Sequence, residues 1–135
     1  MENAHDPRVR SVVLLSSGTF SGSLGFMSSA AKVTKADLKK LHSPVAYLLG
    51  GPVDVAYANG KDDFERISHV PAIMAEIQTG HTGTFRHTGG GRYATVTAQW
   101  LKWTLYGDKV AKKTFVGKDC GLCTDPVWKY HSKKL

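Results

Sequence analysis

The chain has 135 residues, 41% of them hydrophobic and 21% charged, and carries a formal net charge of +7. That is the size of one domain, residues 1–135, with enough apolar side chains to build a core. No apolar run approaches the roughly 18 residues of a membrane-spanning helix, and Met1–Arg8 lacks the apolar segment of a signal peptide, which leaves the compartment open.

Arg8–Gly18 reads as a buried strand over 9–15 that ends at a glycine turn. Residues 16–31 form a Ser/Gly-rich loop with apolar points at Phe20, Leu24 and Phe26. Thr34-Lys-Ala-Asp37 has the form of a capping box and predicts a short helix through Leu41. His42-Ser-Pro44 breaks that helix and starts a strand over 45–50. Gly50-Gly51-Pro52 is a turn. Asp62-Asp63-Phe-Glu-Arg-Ile67 predicts a short helix with acids in its first turn, where the helix dipole favours them. A strand over 71–77 follows, then a glycine-rich loop from His81 to Gly91.

The longest predicted helix runs from Tyr93 to Tyr106, with Val96, Trp100 and Trp103 on its apolar stripe and Gly107 at its end. A short amphipathic stretch, 108–116, and a tail bearing Cys120-Gly-Leu-Cys123 complete the chain. Strands alternating with helices predict an α/β fold, a three-layer sandwich around a short parallel sheet. In such sheets ligands bind beyond the carboxyl ends of the strands. Ser16, Ser17, Asp54 and His81 all fall at such ends.

An acid after one strand and a histidine after the next is how a Ser-Asp-His hydrolase orders the last two members of its triad. His81, flanked by glycine and small polar residues, suits the general base. Asp54 suits the carboxylate that fixes its tautomer, although a turn aspartate bonded to its own backbone has the same sequence setting. His87 reads as a surface loop residue. No Gly-x-Ser-x-Gly elbow occurs anywhere in the sequence. Ser17 is therefore the candidate nucleophile, with Ser16 and Ser21 behind it, and the backbone amides of 18–23 are candidate oxyanion donors.

Cys120 and Cys123 read as a local disulfide or as two reduced structural thiols, since zinc would need two more ligands. The six histidines include no His-x-His or His-x-x-x-His pair. No metal and no cofactor is expected. Residues 100–135 hold eight lysines against three aspartates, an excess of five. A solvated lysine surface explains it more simply than a nucleic-acid face, because no nucleic-acid motif accompanies it.

Pro44-Val-Ala-Tyr-Leu-Leu-Gly-Gly-Pro-Val-Asp54-Val-Ala-Tyr-Ala-Asn59 resembles the acid loop of polyhydroxyalkanoate-depolymerase-like and dienelactone-hydrolase-like esterases of the α/β-hydrolase group. Gly80-His81-Thr-Gly-Thr-Phe85 resembles their histidine loop, and Ala98–Asp108 their C-terminal helix. The resemblance implies a truncated α/β-hydrolase fold lacking the N-terminal half. It implies hydrolysis of small acyl esters by Asp54 and His81, with a serine. Two departures accompany it: the elbow is missing, and Thr82 stands where those esterases carry glycine. A truncated sheet would leave the apolar strand 9–15 at an open edge, which predicts self-association as a twofold dimer. A non-catalytic binding or self-assembly module is the alternative reading.

Overall fold

In the computed structural model, residues 6–20 and 33–135 are described; the candidates Ser21, Leu24 and Phe26 and part of the 18–23 loop lie outside them. Strands β1 (Val12–Leu15), β2 (Val45–Leu49), β3 (Ala72–Glu76) and β4 (Lys129–Lys133) form one sheet in that order. The first three run parallel, in register Val12 with Val45 and Val45 with Ala72. The fourth is antiparallel to β3, pairing Ala72 with Lys133 and Glu76 with Lys129.

Every residue of β2 and β3 is buried, which is why both read as near-continuous apolar runs. Alternate side chains serve opposite faces. Ala46, Leu48, Ile73 and Ala75 pack with Tyr93, Val96 and Trp100 of α2 (Gly91–Tyr106) and with Phe115, Leu122 and Trp128. Val45, Tyr47, Leu49, Ala72 and Met74 pack with Leu38 and with Phe64 and Ile67 at the end of α1 (Tyr57–Arg66). Helical segments thus cover both faces of a mostly parallel sheet, an α/β arrangement.

Several boundaries differ from the sequence reading. Lys35–Lys40 is a 3-10 helix, and Asp37 reaches back to the Thr34 N–H at 2.8 Å, as a capping box requires. The helix predicted to begin at Asp62 begins at Tyr57, so Asp62 and Asp63 sit in its later turns rather than at its positive end. Asp54 holds that end instead, accepting the Ala56 N–H at 2.9 Å through Oδ1. The stretch 108–116 contains only a short helix, α3 (Lys109–Lys112), started by Asp108, whose carboxylate accepts the Val110 and Ala111 N–H groups. A further short helix, α4 (Gly121–Thr124), follows. Cys120 and Cys123 form a disulfide.

The sheet is not wholly parallel, because residues read as a tail form β4. Lys-Tyr-His-Ser-Lys carries no apolar run, and its surroundings decide its conformation. Tyr130 packs on the α2-side core and donates its hydroxyl to the Phe115 carbonyl at 2.8 Å. Lys133 Nζ donates to the carbonyls of Phe64, Glu65 and Ile67 at 2.6, 3.0 and 3.1 Å, at the negative end of α1.

Candidate active site

Gly50 aligns the exits of β2 and β3. Its carbonyl accepts the N–H groups of Thr79 and Gly80 at 3.1 and 2.8 Å. A Cβ at Gly50 would lie 1.9 Å from the Gly80 carbonyl oxygen, so only glycine permits this approach. The Gly50 N–H in turn donates to Asp54 Oδ2 at 3.0 Å. One residue therefore ties the turn that carries Asp54 to the turn that carries His81.

The histidine and the aspartate meet: His81 Nδ1 lies 2.8 Å from Asp54 Oδ1. The Asp54 side chain is wholly buried, whereas the His81 side chain is 56% exposed. Burial pushes the Asp54 pKa up, but the Ala56 N–H, the His81 ring, the Gly50 N–H and the Ser16 hydroxyl together outweigh it, and the net direction is down. Asp54 is therefore an acceptor at neutral pH, and Nδ1 is the ring nitrogen that carries the proton. The lone pair is left on Nε2, on a half-exposed ring. That is the arrangement of a general base with a fixed tautomer.

The His81 turn rests on an aromatic platform. Gly83 has φ +54, and a Cβ there would lie 2.4 Å from the Tyr93 ring. Thr82 is not among the residues with positive φ; the glycine-requiring conformations of this turn lie on either side of it, at Gly80 and Gly83. Tyr93 is itself held edge-on by Phe85 and stacked by Trp128. Its backbone N–H donates to Thr84 Oγ1 at 2.9 Å, and that hydroxyl donates to the Gly90 carbonyl at 2.6 Å.

The serines are placed differently. Ser17 lines a cavity of about 220 Å³ with Leu14, Gly18, Thr19, Phe20 and Val33, and its carbonyl packs closely over Gly60. No hydrogen bond joins Ser17 to His81 among the described residues. Ser16 is buried with φ +43, on the Asp54 side. His87 is exposed and lines a cavity of about 390 Å³ with Ile77, Thr79, Thr84, Arg92 and Val127.

Two buried carboxylates have partners that the sequence does not signal. Glu76, at the end of β3, accepts the Tyr57 hydroxyl at 2.7 Å and pairs with Lys129 at 3.1 Å. The hydrogen bond to Glu76, together with burial and the Glu76 and Glu65 charges, pushes the Tyr57 phenol up to about 12. Asp63 pairs with Lys35 and accepts the Thr19 N–H at 2.6 Å. Both are committed to structural partners. An acid within a strand or a helix turn carries no sequence sign of such partners.

Among the described residues no group of three or more His, Cys, Asp or Glu side chains could hold a metal ion, and no helix is long and apolar enough to cross a membrane. No protein-family model matches the chain, and comparison with curated proteins finds no similar one.

Proposed function

We propose that the chain carries the acid and base of an α/β-hydrolase-type carboxylic ester hydrolase acting on small acyl esters. The observation that supports this reading most is the 2.8 Å contact between His81 Nδ1 and a buried, ionised Asp54 at the carboxyl end of the sheet. The resemblance of residues 44–59 and 80–85 to esterase loops agrees with it.

In this mechanism Nε2 of His81 accepts the proton of a serine hydroxyl as its oxygen attacks the ester carbonyl. The imidazolium, stabilised by Asp54, returns that proton to the leaving alkoxide, and an acyl-serine remains. Water then attacks the acyl group by the same proton route and frees the acid. Ser17 is the proposed nucleophile of the described chain. Ser17 makes no hydrogen bond to His81 among the described residues, so the reaction requires its hydroxyl to come within reach of Nε2. A p-nitrophenyl acetate assay on wild type, His81→Ala, Asp54→Asn and Ser17→Ala tests the reading. Turnover that falls by roughly 10³-fold or more in the first two variants is expected. Turnover absent in wild type, or unchanged in His81→Ala, contradicts it. Turnover that survives Ser17→Ala but not His81→Ala moves the nucleophile elsewhere.

A second reading rests on β1. Its four residues are only half-buried, and among the described residues they pair with β2 on one side alone. A short apolar edge of this kind invites a second copy, so self-association as a twofold dimer is proposed alongside catalysis, or in place of it.

A further inference from the structure

The two cysteines of the disulfide have unequal surroundings. Cys120 is 2% exposed and belongs to the α2-side core, whereas Cys123 is exposed. Thiol–disulfide exchange begins when a thiolate attacks one sulfur of the bond, so access decides which sulfur is attacked. Here the open side of the bond is Cys123.

The same bond is a weak staple. Its cysteines are three positions apart, and so short a loop restricts the unfolded chain little. Backbone hydrogen bonds fix the segment without it. The Gly121 and Leu122 N–H groups donate to the Lys113 and Thr114 carbonyls, both at 3.0 Å. Those of Thr124 and Asp125 donate to the Cys120 and Gly121 carbonyls at 3.1 and 3.2 Å. Leu122, between the cysteines, is buried in the α2-side core. Opening the S–S bond therefore leaves α4 in place, with the two sulfurs still side by side. One further contact bears on the opened state. The Cys123 N–H donates to Cys120 Sγ at 3.1 Å, the atom on which negative charge appears when the bond breaks.

We propose that Cys120 and Cys123 form an exchange site for low-molecular-weight thiols, with Cys123 as the sulfur attacked and Cys120 as the leaving and resolving sulfur. The incoming thiolate forms a bond to Cys123 Sγ as the S–S bond breaks, and the electron pair of that bond passes to Cys120 Sγ. The products are a mixed disulfide on Cys123 and a thiolate on Cys120. Two exits follow. Cys120 Sγ attacks Cys123 Sγ, expels the thiolate and restores the original bond. Alternatively, a second thiolate attacks the sulfur of the bound thiol. That releases the thiol's own disulfide, and Cys120 and Cys123 take up two protons from water as the dithiol. Two electrons then pass from the two small thiols to the protein disulfide, and no other oxidant or reductant takes part. The enclosed position of Cys120 favours the first exit, because Cys123 Sγ is the sulfur beside it. Neither Asp54 nor His81 takes part, so the site is independent of ester hydrolysis.

The test is to incubate the disulfide-bonded protein with reduced glutathione, quench it with N-ethylmaleimide in guanidinium chloride, and sequence the tryptic peptide 119–129 by tandem mass spectrometry. Glutathione on Cys123 and maleimide on Cys120 are expected. Folded Cys120→Ser, treated with oxidised glutathione, should hold its adduct on Cys123, because the resolving sulfur is lost. Folded Cys123→Ser should take up none, and should react at Cys120 once guanidinium chloride unfolds it. Glutathione found on Cys120 of the wild type, a disulfide that stays closed in the folded protein, or an adduct in folded Cys123→Ser overturns the proposal. Circular dichroism verifies the fold of each variant, and if either fails to fold the wild-type peptide decides alone.

Discussion

A buried carboxylate stays charged only when donors replace the water it has lost, and Asp54 has three within 3.0 Å. Its pKa in the folded protein lies below the ordinary value of 3.8. Asp54 stabilises the fold fully above its unfolded pKa, and the contribution is lost as pH falls through the lower folded value. Urea melts of wild type and Asp54→Asn between pH 3 and 6 should therefore differ most at the upper end, with the gap closing below about pH 4. A gap that widens toward acid contradicts this account. Asp54 and His81 were legible because each follows an apolar run and a glycine turn. Tyr93 was not, because an aromatic residue at the start of a helix looks like any other core residue. Its role comes from Gly83, ten positions earlier, where the lack of a Cβ admits the Tyr93 ring.

Elements are held in place here by buried ionic and polar ties as well as by the two cores. Asp63 of α1 holds the Thr19 N–H of the loop after β1 and Lys35 of the 3-10 turn before β2, and Lys35 also reaches Asp62 and the Asn59 carbonyl at 3.0 Å. Removing one partner of a buried pair leaves the other uncompensated, but the remaining Lys35 contacts soften the loss. Asp63→Ala should cost about 2–3 kcal/mol in urea unfolding and should loosen the loop that carries Ser17. A cost within about 0.5 kcal/mol would show that Asp63 is not an anchor. The acids 62 and 63 misled the sequence reading because the helix-dipole argument requires knowing where the helix starts. That start is set by Asp54 and the Gly50–Pro52 turn, eight or more residues upstream. Strand β4 was missed for a related reason. Its pairing with β3 and the grip of Lys133 on the end of α1 are long-range facts, and its composition is polar.

At the scale of the molecule, the order of strands leaves β1 and β4 as edges among the described residues. The two edges differ in kind. β4 is polar and lysine-bearing, which blunts further pairing, whereas β1 is Val-Val-Leu-Leu. Sedimentation at micromolar concentration is expected to show a dimer, and Val13→Lys in β1 to return it to monomer. A wild-type monomer under those conditions removes the self-association reading and leaves the acid–base pair untouched. The α/β class was readable because β2 and β3 are uninterrupted apolar runs separated by a helix. The antiparallel fourth strand was not.

The central claim is that Asp54 fixes which nitrogen of His81 bears the proton. Long-range ¹H–¹⁵N NMR of the neutral ring reads this directly, in wild type and in Asp54→Asn. The Nδ1–H tautomer is expected in wild type, with Nε2 as the basic nitrogen, and loss of that preference in the variant. An Nε2–H ring in wild type, or the same tautomer balance in both proteins, would contradict it.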